Sequence, residues 1–581
     1  MNRLNLFKYF KKYMFLYFIA VVAILLSTLL DMLAPAIVRH IVDDVLVAGN
    51  TEPLRLLLLG ILFIGIGRCI FQYAKEYICD VCGSKIASEI RINLFEKIQS
   101  LSADFFDGIN SGELMSRVKD DVDRIWDIAA YMGILMVEVI IRIITTTYFM
   151  VRINLFLSII PVIGMIASAI IAVLMETKLD SLFGEVQQEN SEMNNTAAEN
   201  LSGVRTVKAF SREGYEINKF HKHNQKYYEL NIDLSKVFVR YNPIIQTITR
   251  MLPVLTLLSG GFMVIKGEGF FHSEPLTIGE LIAFLAYAGN IVWPMEMLGW
   301  LTNGFSSAKA SIKRLNKIYA QIPQIKDESA LTNAELFAPE DITGSVSFEN
   351  VSYSAGGKDI LKNVSFSIGA GQTLGIMGAT GSGKTTVINL LKRMYDATEG
   401  TIKIDDVDIR ELPLSVLRRS IACVMQDVFL FSDTIDGNIR LGVRDSMTTE
   451  EVRLSLEQSH SAEFVDKMEN KEQTVIGERG IGLSGGQKQR ITIARALARK
   501  TPILVLDDST SALDTETEQE IQQVLDELKG MTKIIIAHRI SAVRKADKII
   551  VLENGHVAES GTHEELLEKD GLYKETYDSQ Y

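Results

Sequence analysis

In the stretch PILVLDDSTSALD, residues 502–514, an apolar run ends in two adjacent aspartates, Asp507 and Asp508. Earlier in the chain, GIMGATGSGKTTVINLLKRMY joins an apolar strand end to a glycine-rich loop, then Lys384, Thr385 and a helix with periodic apolar residues. That order is the full context a phosphate loop requires. Gly378, Gly381 and Gly383 let backbone N–H groups turn toward phosphates, with Ser382 and Thr386 in the same loop. Lys384 supplies a point charge, and the helix N-terminus adds its partial positive charge. The ILVLD segment reads as a central parallel strand, apolar because both of its faces are buried. Its last residue, Asp507, is placed to hold magnesium through water while the Thr385 hydroxyl takes another coordination position. A helix cap is the alternative role for Asp507, and the phosphate loop argues against it. ATP with Mg2+ is the expected ligand.

Those elements occupy the second half of a chain of 581 residues, too long for one core and long enough for several domains of roughly 100 to 200 residues each. The first half carries long apolar runs, whereas the second reads as a water-soluble α/β protein. A net charge of -12, with no segment that concentrates Lys and Arg, excludes a nucleic-acid partner. The four cysteines are Cys69, Cys79, Cys82 and Cys423. The CDVC pair lacks a second pair or neighbouring histidines, so it reads as a reduced, structural helical segment rather than a zinc site.

The basic, amphipathic start MNRLNLFKYFKKYM leads into an apolar run long enough to span a bilayer at about 20 residues per crossing. The run exceeds a signal-peptide core, and five further candidate spans follow near 54–75, 128–150, 155–175, 243–266 and 278–300. Six spans put both chain ends on one side. Arg3, Lys8, Lys11 and Lys12, with the basic residues of the loops at 76–127 and 176–242, make that side cytoplasmic. Apolar residues recur at helical spacing through both long loops, which predicts helical hairpins reaching about 37 Å from the membrane, at 1.5 Å per residue. Several polar residues lie at membrane depth. Glu138 and Arg142 are four apart on the third span; Asn242, Gln246 and Arg250 share one face of the fifth; Asn290, Trp293 and Glu296 follow on the sixth. Buried charge costs about 2.5 to 3.5 kcal/mol per residue on insertion scales, so these side chains should face a wet cavity or each other. The Glu138–Arg142 pair reads equally as a self-neutralising ion pair, and the fifth-span stripe as a cavity lining. Tyr287 and Met297 are counted with the same cavity. Pro243, Pro253 and Pro294 could open backbone there.

With these parts in place the chain resembles the ATP-binding cassette exporters, of the multidrug-exporter-like, type IV fold. The most specific feature is LSGGQKQR, Leu483 to Arg490. Beside it stand VSYS, VMQDVFLF, TVIGERG, SALD and IIIAHR, in the family's order. The segments FFDGINSGELMSRVKDDVDRI (105–125) and ENLSGVRTVKAFSRE (199–213) are similar to the loops through which such exporters touch their nucleotide-binding domains. The resemblance implies a six-helix membrane domain over 1–315, a polar linker over 316–343 and an α/β nucleotide-binding domain over 344–581. It implies Tyr353 as the adenine-stacking aromatic, Gln426 as a magnesium and water ligand, His538 as a catalytic residue and Asp514 as part of the nucleotide site. It also implies that Ser484, Gly485, Gly486 and Gln487 complete the site of a second subunit. LSGGQ at a helix start makes an anion cradle that this chain's own phosphate loop leaves spare.

The family normally has glutamate where this chain has Asp508. Aspartate has a similar intrinsic pKa, but its carboxylate sits one methylene, roughly 1.5 Å, short. The chain therefore resembles the degenerate-site subunit of heterodimeric bacterial exporters. A glutamate-bearing half-transporter is the expected partner, and an amphipathic drug, lipid or peptide the expected cargo. The expected location is a bacterial plasma membrane. A symmetric homodimeric exporter or flippase, and an ATP-sensing gating subunit, are the alternatives.

Overall fold

The computed structural model describes residues 3–267, 276–327, 341–443, 446–477, 480, 482–510 and 513–580, apart from the side chains at 298, 299, 302 and 303. The central part of the polar linker, most of the acidic outer loop GEGFFHSEPLTIGE, Glu478 and Arg479 of TVIGERG, and the first two residues of SALD lie outside the described residues. The chain divides into two compact units, Met1–Leu101 with Ile109–Ile322, and Ser102–Gly108 with Pro323–Tyr581.

Among the described residues, the first unit holds six helices long and apolar enough to cross a membrane. The helices Leu54–Gln99, Leu155–Ser202 and Glu213–Lys266 run 46, 48 and 54 residues. At 1.5 Å per residue, such helices measure about 70 to 80 Å, more than twice a hydrocarbon core of about 30 Å. The polar halves of these helices are the hairpin arms anticipated from periodicity, with the short helix Val204–Ala209 at the second tip. Pro243, Pro253 and Pro294 sit inside helices that run on through them, so the backbone there stays helical. Close packing follows from small residues. A Cβ on Gly83 would stand 2.5 Å from the Ala130 Cβ, an approach only glycine permits. Asp121, 2% exposed, accepts hydrogen bonds from Ser311 Oγ (2.8 Å), Arg314 Nε (3.0 Å) and Arg117 Nη1 (3.3 Å). It thereby ties the stretch before the third span to the helix Ile278–Tyr319.

Among the described residues, the second unit contains two sheets. In chain order the strands are β1 (Val346–Ala355), β2 (Lys358–Ile368), β3 (Thr373–Gly378), β4 (Glu399–Ile404), β5 (Val407–Asp408), β6 (Ile421–Val424), β7 (Ile503–Asp507), β8 (Thr532–Ile536), β9 (Lys548–Glu553) and β10 (His556–Gly561). The smaller, antiparallel sheet has the order β2-β1-β4-β5; the larger runs β10-β9-β3-β8-β7-β6, parallel except for β10. Every residue of β7 and β8 is buried, as an apolar central strand requires. A core of aliphatic residues with Phe348 and Phe366 fills the space between the two sheets and the helix Lys384–Leu391. Asp405, in the turn between β4 and β5, gathers the N–H groups of Thr343, Gly344 and Ser345 and the hydroxyls of Thr343 and Ser345. This fixes where the unit's first strand begins. The short helix Ala103–Asp107 belongs to this unit: the Tyr395 hydroxyl donates to Asp107 Oδ2 at 2.7 Å, and Gln324 N–H to Ser102 Oγ at 3.1 Å.

Candidate functional site

The phosphate loop leaves β3 at Gly378, whose φ of 147° and crowding against the Leu552 carbonyl exclude any side chain. Gly381 (φ 83°) has nothing within 4 Å of a notional Cβ, so the tip of the cradle is open. Gly383 (φ 102°) caps the helix Lys384–Leu391. Lys384 folds back over the loop and donates to the carbonyls of Gly378 (2.7 Å) and Ala379 (2.9 Å). Burial pushes its ammonium below the ordinary value, against the pull of Asp507 and Asp508. Ser382 Oγ is buried without a hydrogen-bond partner. A buried, unpaired hydroxyl, an open glycine tip and a desolvated lysine together fit a polyphosphate.

Asp507 ends β7 and is 4% exposed. Burial pushes its carboxyl above the usual range, Asp508 adds to that push, and a hydrogen bond with Thr385 opposes it, as do Lys392 and Lys384. A desolvated carboxylate joined to the Thr385 hydroxyl is a donor set suited to a hard divalent cation such as Mg2+. Asp508 follows with φ 47°, in the left-handed region. Its N–H donates to the Ile536 carbonyl (3.0 Å), and its carbonyl accepts from Gln489 Nε2 (3.2 Å). Gln489, 2% exposed on the helix Gly485–Ala498, stands in the LSGGQKQR stretch, but its anchoring role is not legible in the sequence because it depends on a contact 19 residues away. Val424 is in register with Leu506, so the chain that carries exposed Gln426 leaves the sheet beside the two aspartates. His538 lines one cavity of about 440 Å³ with Gly378, Gly381 and Ser382.

Three further groups of expected nucleotide residues make local contacts of their own. Ser484 caps its own helix in a reciprocal box with Gln487 (2.9 and 3.3 Å), and Gly485 and Gly486 form the first turn. Asp514 caps the helix Thr515–Glu527, and the Thr517 N–H and hydroxyl hold its carboxyl below the usual range. Among the described residues, neither hydrogen-bonds the phosphate loop. Tyr353 packs on Tyr395, ring centroids 5.6 Å apart, and burial together with Asp107 and Asp104 raises its hydroxyl pKa.

In the membrane unit, Glu138 and Arg142 do not stand as an isolated pair. Arg142 Nη1 donates to Asp31 Oδ2 (2.9 Å), Asp31 Oδ1 accepts from Arg68 (2.8 Å), and Glu138 pairs with buried Lys75 (3.0 Å) as well as Arg142 (3.6 Å). The Arg142 guanidinium also lies 5.8 Å from the Trp293 ring centroid. Asp31, a lone acid inside the first apolar run, was the signal for this network. Asn242, Arg250 and Glu296 are exposed, and Gln246 and Asn290 half-buried. Tyr287, grouped with a cavity by its position, is 1% exposed and donates to the Met32 carbonyl at 2.6 Å, so it belongs to the core.

A membrane unit of six crossing helices and a phosphate-loop unit in one chain define a transporter driven by ATP hydrolysis. Comparison with known proteins places the chain in the ABC transporter family. The "ABC transporter transmembrane region" matches residues 17–295, and "ABC transporter" matches residues 361–511. The chain is 35% identical to the Bacillus subtilis uncharacterized ABC transporter ATP-binding protein YknU, over 99% of this chain and 96% of that one. It is 34% identical to the B. subtilis probable multidrug resistance ABC transporter ATP-binding/permease protein YheI (98% and 96%). It is 33% identical to the ATP-dependent lipid A-core flippase of Desulfotalea psychrophila (97% and 96%). A bacterial Atm1-family ABC exporter solved with ATP bound superposes with a TM-score of 0.81 over 97% of both chains, at 27% identity. The protein is an ABC exporter, an ATPase coupled to transport and a multi-pass protein of the bacterial plasma membrane.

Proposed function

We propose that this chain is one half of a heterodimeric exporter of amphipathic molecules, and that its own phosphate loop binds ATP but hydrolyses it poorly. The observation that carries this reading is the backbone of Asp508, anchored on one side by Ile536 and on the other by Gln489. A shift of the main chain that lets the shorter carboxylate reach a water at the terminal phosphate would break both bonds. In this reading Gly378, Gly381, Ser382, Gly383, Lys384 and Thr386 hold the phosphates and His538 meets the terminal one. Thr385, Asp507 and Gln426 would hold Mg2+, whose charge would neutralise the phosphate oxygens. Ser484 to Gln487 would complete the partner's site, with Asp514 and Tyr353 as further nucleotide residues.

The exposed or half-exposed Asn242, Gln246, Arg250, Asn290, Trp293 and Glu296 mix polar, charged and aromatic groups, which suits cargo with both a polar and an apolar part. Relatives described as a multidrug transporter and a lipid A-core flippase agree with that chemistry. Glu138 and Arg142 are instead engaged with Asp31 and Lys75, which favours a structural role for them. The test is purification of the tagged chain from its native membrane, followed by subunit identification and nucleotide turnover. A stoichiometric second half-transporter with glutamate at the equivalent position supports the proposal. A brisk homodimeric ATPase that moves cargo refutes it.

A further inference from the structure

The helix Leu572–Gln580 is fastened to the nucleotide unit at three places. At its start the N–H groups of Leu572 and Tyr573 donate to the Glu559 carboxylate. Next, the Tyr573 hydroxyl, on a side chain 1% exposed, lies 2.8 Å from His563 Nδ1. At its end the Gln580 side chain grips the segment after β8: Oε1 accepts from the Ile540 N–H at 2.9 Å, and Nε2 donates to the His538 carbonyl at 2.8 Å.

The third contact has a specific logic. β8 ends at Ile536, and Ala537 N–H still reaches the Ile376 carbonyl at 3.3 Å. Beyond it the chain leaves the sheet, so the His538 carbonyl loses the partner a neighbouring strand would supply, and the Ile540 N–H is an open donor at the start of the short helix Ile540–Val543. One primary amide offers a donor and an acceptor in a single plane, so Gln580 satisfies both groups at once. A carboxylate could accept from Ile540 but would have nothing to donate to the His538 carbonyl. These two bonds flank Arg539, and the first of them holds the carbonyl of His538, whose side chain lines the cavity with Gly378–Ser382. Tyr573, Glu575 and Thr576 of the same helix form another part of that wall.

We propose that Gln580 is a positioning residue that holds the His538 backbone so that the imidazole meets the terminal phosphate of ATP on this chain's phosphate loop. The inference rests on the terminal-phosphate role given to His538 above. It gives the last helix of the chain a part in telling ATP from ADP.

The experiment measures that discrimination, which does not depend on how fast the site hydrolyses. In the assembled transporter, ADP and the β,γ-imido analogue of ATP compete with an azido-ATP photolabel, read on this polypeptide's own band. Gln580→Ala should lower the preference for the triphosphate by about 5- to 10-fold, the size of a weakened hydrogen bond to a charged group, with ADP affinity unchanged and a small fall in Tm from the two lost hydrogen bonds. Gln580→Glu should behave like Gln580→Ala. His538→Ala should lose at least as much preference, and adding Gln580→Ala to it should cost nothing more. A wild-type preference in Gln580→Ala beside a loss in His538→Ala overturns the positioning role alone. A full additional loss in the double variant also overturns it, because Gln580 would then act without His538. An unchanged preference in His538→Ala overturns the reading of His538 itself.

Discussion

Replacing Asp508 with glutamate should raise hydrolysis at this chain's own site, and the structure sets both the gain and its accompanying cost. The Asp508 backbone is fixed by the Ile536 carbonyl at 3.0 Å and Gln489 Nε2 at 3.2 Å, so an added methylene of roughly 1.5 Å moves the carboxylate outward rather than the chain inward. A misplacement near 1 Å costs about 100-fold in rate, or about 2.7 kcal/mol of barrier. The φ of 47° at this residue works in the other direction. Left-handed backbone costs about 1 to 2 kcal/mol, and aspartate offsets part of that through local hydrogen bonding that glutamate makes less readily. That cost falls on the stability of the folded chain, not on the barrier. Asp508→Glu should therefore turn over ATP about 10- to 100-fold faster at this site, with a slightly lower Tm. The assay is steady-state ATP hydrolysis by the complex with the partner's own phosphate loop disabled. Asp508→Asn in the otherwise intact complex should leave turnover near wild type. Turnover unchanged by Asp508→Glu, or abolished by Asp508→Asn, would show that the shorter carboxylate already reaches the water.

Ser382→Ala should move stability and affinity in opposite directions. Removing a buried hydroxyl with no partner should stabilise the nucleotide-free protein by about 1 kcal/mol, while ATP affinity falls; thermal unfolding with and without nucleotide reads both. Asp31→Asn leaves the guanidinium groups of Arg68 and Arg142 without their shared carboxylate, and should cost about 3 kcal/mol in detergent unfolding. A loss well under 1 kcal/mol would assign the network to the surface class of ion pairs. Asp405 titrates as a stability switch. Burial alone would raise its carboxyl pKa, but the hydrogen bonds from Thr343, Gly344 and Ser345 outweigh burial and hold it below the ordinary 3.8. Its contribution is thus complete above that value and lost as pH falls through the lower folded-state value. Acid unfolding of Asp405→Asn should lack this component of the pH slope.

The phosphate loop, the buried strand that ends in Asp507 and the six membrane crossings were legible because each depends on residues close together in the chain. Glycine torsions, a helix start and runs of apolar side chains act over a few residues, and local spacing records them. The same locality explains why Ser484 and Asp514 show helix caps: a cap is a three-residue interaction that forms whether or not a ligand is present. What spacing could not record were partnerships across long separations. Arg142 lies four residues from Glu138, yet it also bonds Asp31, 111 residues away, and Glu138 also bonds Lys75, 63 residues away. Tyr287 looked like a cavity residue until a bond to Met32, 255 residues distant, placed it in the core. Gln489 and Gln580 are ordinary polar residues in the linear text; only the folded backbone brings one to the Asp508 carbonyl and the other to His538. Short-range chemistry thus declared what kind of machine this chain builds. Packing decided which side chains hold its working parts in place, because a buried polar group takes whichever partner the fold brings within about 3 Å.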